Sequence, residues 1–263
     1  MCTIILLNQV HPTYPVVIAA NRDEFFERPA TPPQILHSAD PRVIGGRDLR
    51  AGGTWMGATA GGLFVGLTNQ RTSKPPHSGR LSRGEVVLQA LTMRTVEQLD
   101  RWLGGLNPSD YNPFNLVYGD AHQLKVAYAH EGMEQVERED VPQGLHVVPN
   151  ARMNAPDWAK VDRARTLVTP WIERPWPELQ TRLEETLADT QMAEEISPPP
   201  PPTSPIPAAL VRRLSALRVD TPIYGTRSAT IVALKPGRVD HYLFADGAPG
   251  KAPFKEHVAQ LYP

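Results

Sequence analysis

Cys2 is the only cysteine in the 263-residue chain, and it stands directly after Met1. Methionine aminopeptidases remove Met1 when the next side chain is small, as this one is. On a processed chain, one residue would then carry both a thiol and a free α-amino group. The amine (unperturbed pKa roughly 7.7–8.0) can accept the thiol proton (pKa about 8.5) near neutral pH. Such a residue is a self-contained nucleophile for acyl transfer. Free cysteines are also common as small buried hydrophobes. The position of Cys2, heading the apolar run Thr3-Ile4-Ile5-Leu6-Leu7, favours the nucleophile.

Arg22 and Asp23 lie in the polar stretch Asn21-Arg22-Asp23-Glu24, which ends the apolar run Val16–Ala20. If the first two runs pair as a hairpin, the end of the second lies beside Cys2. A guanidinium there favours the thiolate, and a carboxylate there can hold and orient the α-ammonium. The same residues could instead form a structural ion-pair cluster with Glu24 and Arg28 on a turn. Asn69 ends the run Leu63–Thr68, and Asn150 follows Leu145–Pro149. Amides at strand ends can donate to an oxyanion, although asparagine is also a frequent turn residue. Arg227, in Tyr224-Gly225-Thr226-Arg227-Ser228, is placed either to bind an anionic part of a substrate or simply to face solvent.

These residues need elements to hold them. Met1–Leu7 reads as a buried strand, His11–Pro15 as a turn, and Val16–Ala20 as the hairpin partner. From 34 to 69, short strands around Val43-Ile44, Thr54–Met56 and Leu63–Thr68 alternate with glycine pairs 45–46, 52–53 and 61–62. Doubled glycines suit tight hairpins or close backbone approach. Ser82-x-x-Glu85 and Thr95-x-x-Gln98 match the capping box, and Val96, Leu99, Trp102/Leu103 and Leu106 share one helical face. Strand character returns at 114–118, 124–129 and 145–148. Val161–Val168 reads as a helix stopped by Pro170, and Leu179–Leu187 as one opened by Pro177. A short helix is expected around 210–217, then strands at 223–234 and 239–244. Strands, a helix pair, strands, helices and strands in that order fit an α+β fold: two mainly antiparallel sheets packed together and covered by helices.

Length suits one domain over 1–263, with the proline-rich stretch 197–207 as an extended surface loop or a docking ligand for a proline-reading module. The 28 prolines point to many irregular connections. Apolar residues make up 41 % and charged residues 21 %, an ordinary soluble composition. A net charge of −1 gives no bulk attraction for nucleic acid. No apolar run approaches the roughly 20 residues that span a bilayer, and no basic segment precedes the first strand, so a cytoplasmic location is expected. One cysteine excludes an internal disulfide framework and multi-cysteine metal sites, and the eight histidines show no ligand spacing. No G-x-S-x-G elbow, H-E-x-x-H or phosphate-binding G-x-x-x-x-G-K-[ST] is present. Non-covalent haem needs only one histidine or thiolate ligand and stays open.

Met1-Cys2 with its apolar strand, Asn21-Arg22-Asp23-Glu24, Gly52-Gly53-Thr54-Trp55, Leu67-Thr68-Asn69 and Tyr224-Gly225-Thr226-Arg227-Ser228 together resemble the NRDE family, that of the transport and Golgi organisation 2 protein. The resemblance implies an αββα sandwich like that of the N-terminal nucleophile hydrolases, closest to the bile-salt hydrolase and penicillin V acylase group. Those enzymes use an N-terminal cysteine, a nearby arginine and aspartate, later asparagines and a late arginine. Cys2, Arg22, Asp23, Asn69, Asn150 and Arg227 fall in that order, although Val-Val-Pro-Asn-Ala stands around Asn150 where the family more often has Leu-Ser-Asn. Family members are linked to haem trafficking and to lipid or acyl metabolism. Two functions are therefore expected: a Cys2 amidohydrolase acting on a small linear amide without a cofactor, or a non-catalytic carrier of haem or an acyl lipid.

Overall fold

The computed structural model describes residues 2–72, 75–195 and 208–262. The polyproline reading of 197–207 falls outside the described residues. In chain order the strands are β1 (Cys2–Asn8), β2 (Val16–Phe25), β3 (Gln34–His37), β4 (Val43–Gly45), β5 (Met56–Thr59) and β6 (Phe64–Asn69). Helices α1 (Arg83–Ala90) and α2 (Val96–Gly104) follow. Strands β7 (Phe114–Gly119), β8 (Leu124–Ala129), β9 (Glu137–Asp140) and β10 (Gly144–Val148) precede helices α3 (Ala159–Val168), α4 (Trp176–Leu187) and α5 (Ala208–Arg213). The chain closes with β11 (Tyr224–Lys235), β12 (Arg238–Ala245) and β13 (Phe254–Glu256).

The strands form two antiparallel sheets, a six-stranded one in the order β10-β1-β2-β11-β12-β13 and a seven-stranded one running β3 to β9 in sequence order. Side chains alternate between the faces of a strand, and here both faces of the first sheet are covered. Ile4 and Leu6 of β1, with Val16, Ile18 and Ala20 of β2, face the second sheet across a core that includes Phe64, Val117, Val126 and Tyr128. Ile5, Leu7, Val17 and Ala19 face the other way, onto Val161, Ala164 and Val168 of α3 and Leu179, Leu183 and Leu187 of α4. The outer face of the second sheet carries α1 and α2 through Val86, Val87, Ala90, Leu99 and Leu103. The result is four layers, helix–sheet–sheet–helix. It explains why β1 and the start of β2 are apolar without alternation: neither face meets water.

The hairpin between β1 and β2 closes through Gln9 N–H to the Pro15 carbonyl at 2.6 Å, with His11 Nδ1 accepting from the Thr13 and Tyr14 amides. Thr95 caps α2 as its spacing predicts, its hydroxyl accepting from the Gln98 amide at 3.2 Å. Ser82 departs from expectation: its side chain makes no cap bond to α1, and the Glu85 amide reaches the Ser82 carbonyl instead. Thr54 and Trp55, expected in a strand, lie just before β5. The Thr54 amide donates to the Gly84 carbonyl at 3.2 Å, and a Cβ on Gly53 would lie 2.4 Å from the Gly84 backbone. Two glycines without side chains thus let the first turn of α1 rest directly on segment 53–55.

Candidate active site

Cys2 heads β1 and pairs in register with Arg22 of β2. Both share the parity of Ile4, Leu6, Ile18 and Ala20, so their side chains belong to the face that meets the second sheet. Cys2 is 9 % exposed and Arg22 is 5 % exposed. The Arg22 guanidinium lies over the Trp55 ring, 4.3 Å from its centroid, and has no hydrogen-bond acceptor among the described residues. Burial pushes the Cys2 thiol above its ordinary value, and the Asp23 carboxylate adds to the rise; the Arg22 charge and the Asp23 amide act in the opposite direction. Burial likewise depresses the Arg22 guanidinium, while the nearby thiolate offsets part of that change.

Asp23, one residue on, takes the helix-facing parity of Val17 and Ala19. Its carboxylate meets Lys160 Nζ of α3 at 3.2 Å and accepts from the Thr226 hydroxyl at 2.6 Å. Both charged side chains are almost wholly buried. The alternative ion-pair reading of this stretch holds only for its neighbours: Arg28 bridges Glu24 at 3.8 Å and Asp48 at 2.7 Å.

On the other side of β1, the ladder to β10 ends where Ile4 pairs with Val148, and Asn150 follows two residues on. The end of β6 closes over this segment. The Thr68 hydroxyl donates to the Pro149 carbonyl at 3.0 Å, and Asn150 Nδ2 donates to the Asn69 carbonyl at 2.6 Å. The Arg71 amide donates to the Asn150 carbonyl at 2.8 Å. Asn115 of β7 ties the same loop down, its Nδ2 reaching the Thr68 hydroxyl and the carbonyls of Pro149 and Ala151. Asn69 and Asn150 therefore stand together at the Cys2 end of the core. The Asn69 side-chain amide forms no hydrogen bond among the described residues, whereas one N–H of Asn150 is engaged.

Arg227 is not brought against Cys2. It sits at the irregularity in β11 between Thr226 and Ser228, and its guanidinium donates to the carbonyls of Phe25, Phe26 and Arg28. It holds the turn after β2 and borders the site from there.

The transport and Golgi organisation 2 family model matches residues 1–242. The chain belongs to that family. It is 30 % identical over 234 residues to the transport and Golgi organization protein 2 homolog of Bos taurus, covering 83 % of this chain and 82 % of that protein. Against the Homo sapiens homolog the identity is 28 % over 232 residues, with coverage of 83 % and 82 %. Among solved structures, an N-acylethanolamine-hydrolyzing acid amidase ortholog from Caenorhabditis elegans superposes with a TM-score of 0.53 at 9 % identity, covering 90 % of this chain and 93 % of that one. The likeness is one of fold: this transport and Golgi organisation 2 family chain shares the two-sheet α+β sandwich of that protein.

Several residues that shape the site in this family member escape sequence reasoning. Lys160 signals itself only by sharing the buried stripe of α3 with Ala164 and Val168. Trp55 was legible as part of a motif but not as the platform for Arg22. Arg83 opens α1 and donates through Nη1 to the Pro113 carbonyl at 3.3 Å. Among the described residues there is no group of three or more histidine, cysteine, aspartate or glutamate side chains able to hold a metal ion. No helix among them is long and apolar enough to cross a membrane.

Proposed function

We propose that this protein is an N-terminal-cysteine amidohydrolase that cleaves a small linear amide through a thioester on Cys2. The observation that carries the reading is the placement of the sole cysteine at the head of a central strand, paired in register with Arg22 on one side and flanked on the other by β10, after which Asn150 follows. With Met1 removed, the α-amine of Cys2 takes the thiol proton. The sulfur then attacks the amide carbon, and the carbonyl electron pair moves onto oxygen. In this mechanism the Asn69 amide and the remaining N–H of Asn150 donate to that oxyanion. Collapse expels the amine, which takes the proton from the α-ammonium, and a thioester remains. Water, deprotonated by the same amine, releases the acid. Arg22 favours the thiolate, and Asp23, anchored by Lys160 and Thr226, sets the electrostatic surroundings of the amine. Arg227 supports the wall of the site by holding the 25–28 turn.

The test combines intact mass with turnover. Protein from its own host should lack Met1, and a library of N-acyl amides should contain members that it hydrolyses. Cys2→Ala should abolish that turnover while leaving the unfolding midpoint near the parent value. Turnover unchanged in Cys2→Ala would remove Cys2 from the reaction.

The engagement of Asn150 and Arg227 with backbone carbonyls favours a second reading, a binding site without turnover. Its ligand would be an acyl lipid, or haem that the Cys2 thiolate would hold. A saturable shift of the haem absorption spectrum that is lost in Cys2→Ala supports the haem form, and no saturable shift ends it.

A further inference from the structure

Asn115 is a polar residue in the otherwise apolar stretch 114–118 of β7, and it is wholly buried. It shares the parity of Val117, so its side chain enters the space between the two sheets. Thr68 of β6, equally buried, is its partner in register. A buried amide is unfavourable unless paired, and both ends of this one are engaged. Its Oδ1 accepts from Gln70 Nε2, which sets the orientation of the amide. Its Nδ2 donates to the Thr68 hydroxyl at 2.9 Å, the Pro149 carbonyl at 3.1 Å and the Ala151 carbonyl at 2.7 Å. The Thr68 hydroxyl adds its own bond to the Pro149 carbonyl at 3.0 Å.

The acceptors lie on two segments far apart in the chain. Thr68 immediately precedes Asn69, while Pro149 and Ala151 stand on either side of Asn150. The ladder between β1 and β10 ends at Ile4, and a Cβ on Gly66 of β6 would lie 3.4 Å from Ile4 Cδ1. The two segments therefore join beside the Ile4 end of β1, the end that Cys2 heads. One amide thus fixes the neighbours of both asparagines at once. Resting on the Cys2 amidohydrolase reading, we propose that Asn115 is a positioning residue that holds Asn69 and Asn150 at the spacing in which both amides donate to one oxyanion. It acts through these two residues and not on the sulfur.

Two reagents that use the same thiolate test this, because only one of them forms an oxyanion. With p-nitrophenyl acetate the thiolate attacks the carbonyl carbon, an S–C bond forms and the electron pair moves onto oxygen. Collapse then breaks the C–O bond and expels p-nitrophenolate. With iodoacetamide the thiolate displaces iodide from the methylene carbon, and no oxyanion arises. The measured quantity is the ratio of the two rate constants at Cys2, acylation over alkylation, after subtracting the reaction of Cys2→Ala. The thiolate fraction cancels in that ratio. The folded parent should exceed the same chain unfolded in urea at the same pH by about a hundredfold. Asn115→Leu should lower the parent ratio about tenfold while alkylation stays within about twofold, and Thr68→Val should lower it less. Both reagents slowed alike in Asn115→Leu would mean a structural role alone and overturn the proposal. A raised parent ratio that neither variant changes overturns it too, but leaves the oxyanion donors and the hydrolase standing. A parent ratio no higher than that of the unfolded chain sinks the donors and the proposal together. If Asn115→Leu fails to fold, Thr68→Val decides by the same criterion. The expected pattern with no amide turned over would sink the hydrolase and keep the positioning role.

Discussion

The aspartate next to Arg22 shows how much one residue step matters in a strand. Arg22 and Asp23 are adjacent, yet alternation sends the first into the core between the sheets and the second under α3. Asp23 reaches Lys160 there, a partner 137 residues away, so no local spacing in the sequence could reveal the pair. The side chains are 0 % and 4 % exposed, in a place where an ion would be costly on its own. Lys160→Met should therefore leave a buried carboxylate without its counter-charge and destabilise the fold by about 3–5 kcal/mol. Urea unfolding measures this. A loss under about 1 kcal/mol would mean that the Thr226 hydroxyl and surrounding backbone suffice for Asp23, as for a weakly coupled pair. The same change should also alter the pH dependence of Cys2 alkylation, because the Asp23 charge acts on the thiol.

At the scale of elements, legibility followed how local each cause was. The β1–β2 hairpin was readable because its turn residues and both apolar runs lie within the first 25 positions of the sequence. The capping box at Thr95 was readable for the same reason. Strands β9 and β13 were not: Glu137–Asp140 and Phe254–Glu256 are short edge strands whose mostly half-buried or exposed residues carry no apolar period. The glycine pairs were visible, but not their different uses. Gly62 has φ +85° and makes the turn between β5 and β6, whereas Gly53 serves contact with α1. The fold class and the ends of β1, β2 and β6 were within reach of the sequence, while the docking of α1 on segment 53–55 was not. Gly53→Ala tests that docking. Its Cβ would sit 2.4 Å from the Gly84 backbone, which cannot yield as a side-chain tip could. The first turn of α1 must shift, at a cost of about 1–3 kcal/mol in unfolding free energy. A variant as stable as the parent would show that this contact does not hold the first turn of α1 in place.

Across the whole molecule, four histidines respond to pH in the same direction. His11 joins the first hairpin to the Arg174 carbonyl, His130 lies beside Gln70, His146 of β10 meets the Pro142 carbonyl, and His257 follows β13. In each the pKa lies below the ordinary 6.5, with burial the leading cause. Near pH 6 the unfolded chain therefore binds protons that the folded chain refuses. Proton linkage then makes stability rise with pH through this range, complete above the ordinary histidine value and lost progressively below it. The alkaline side has the opposite sign. Burial raises the Cys2 thiol, and it also raises Tyr118, Tyr128 and Tyr242, so the unfolded chain releases these protons first. Stability should decline above about pH 8.5, first through the thiol and then through the phenols near pH 10. Urea midpoints measured from pH 5 to pH 10 should trace a dome with its top between about 7 and 8, and Cys2→Ala should flatten only the first part of the alkaline decline. A midpoint that rises on going from pH 7 to pH 5.5 would contradict the burial assigned to these histidines, which join both sheets to the loops around them.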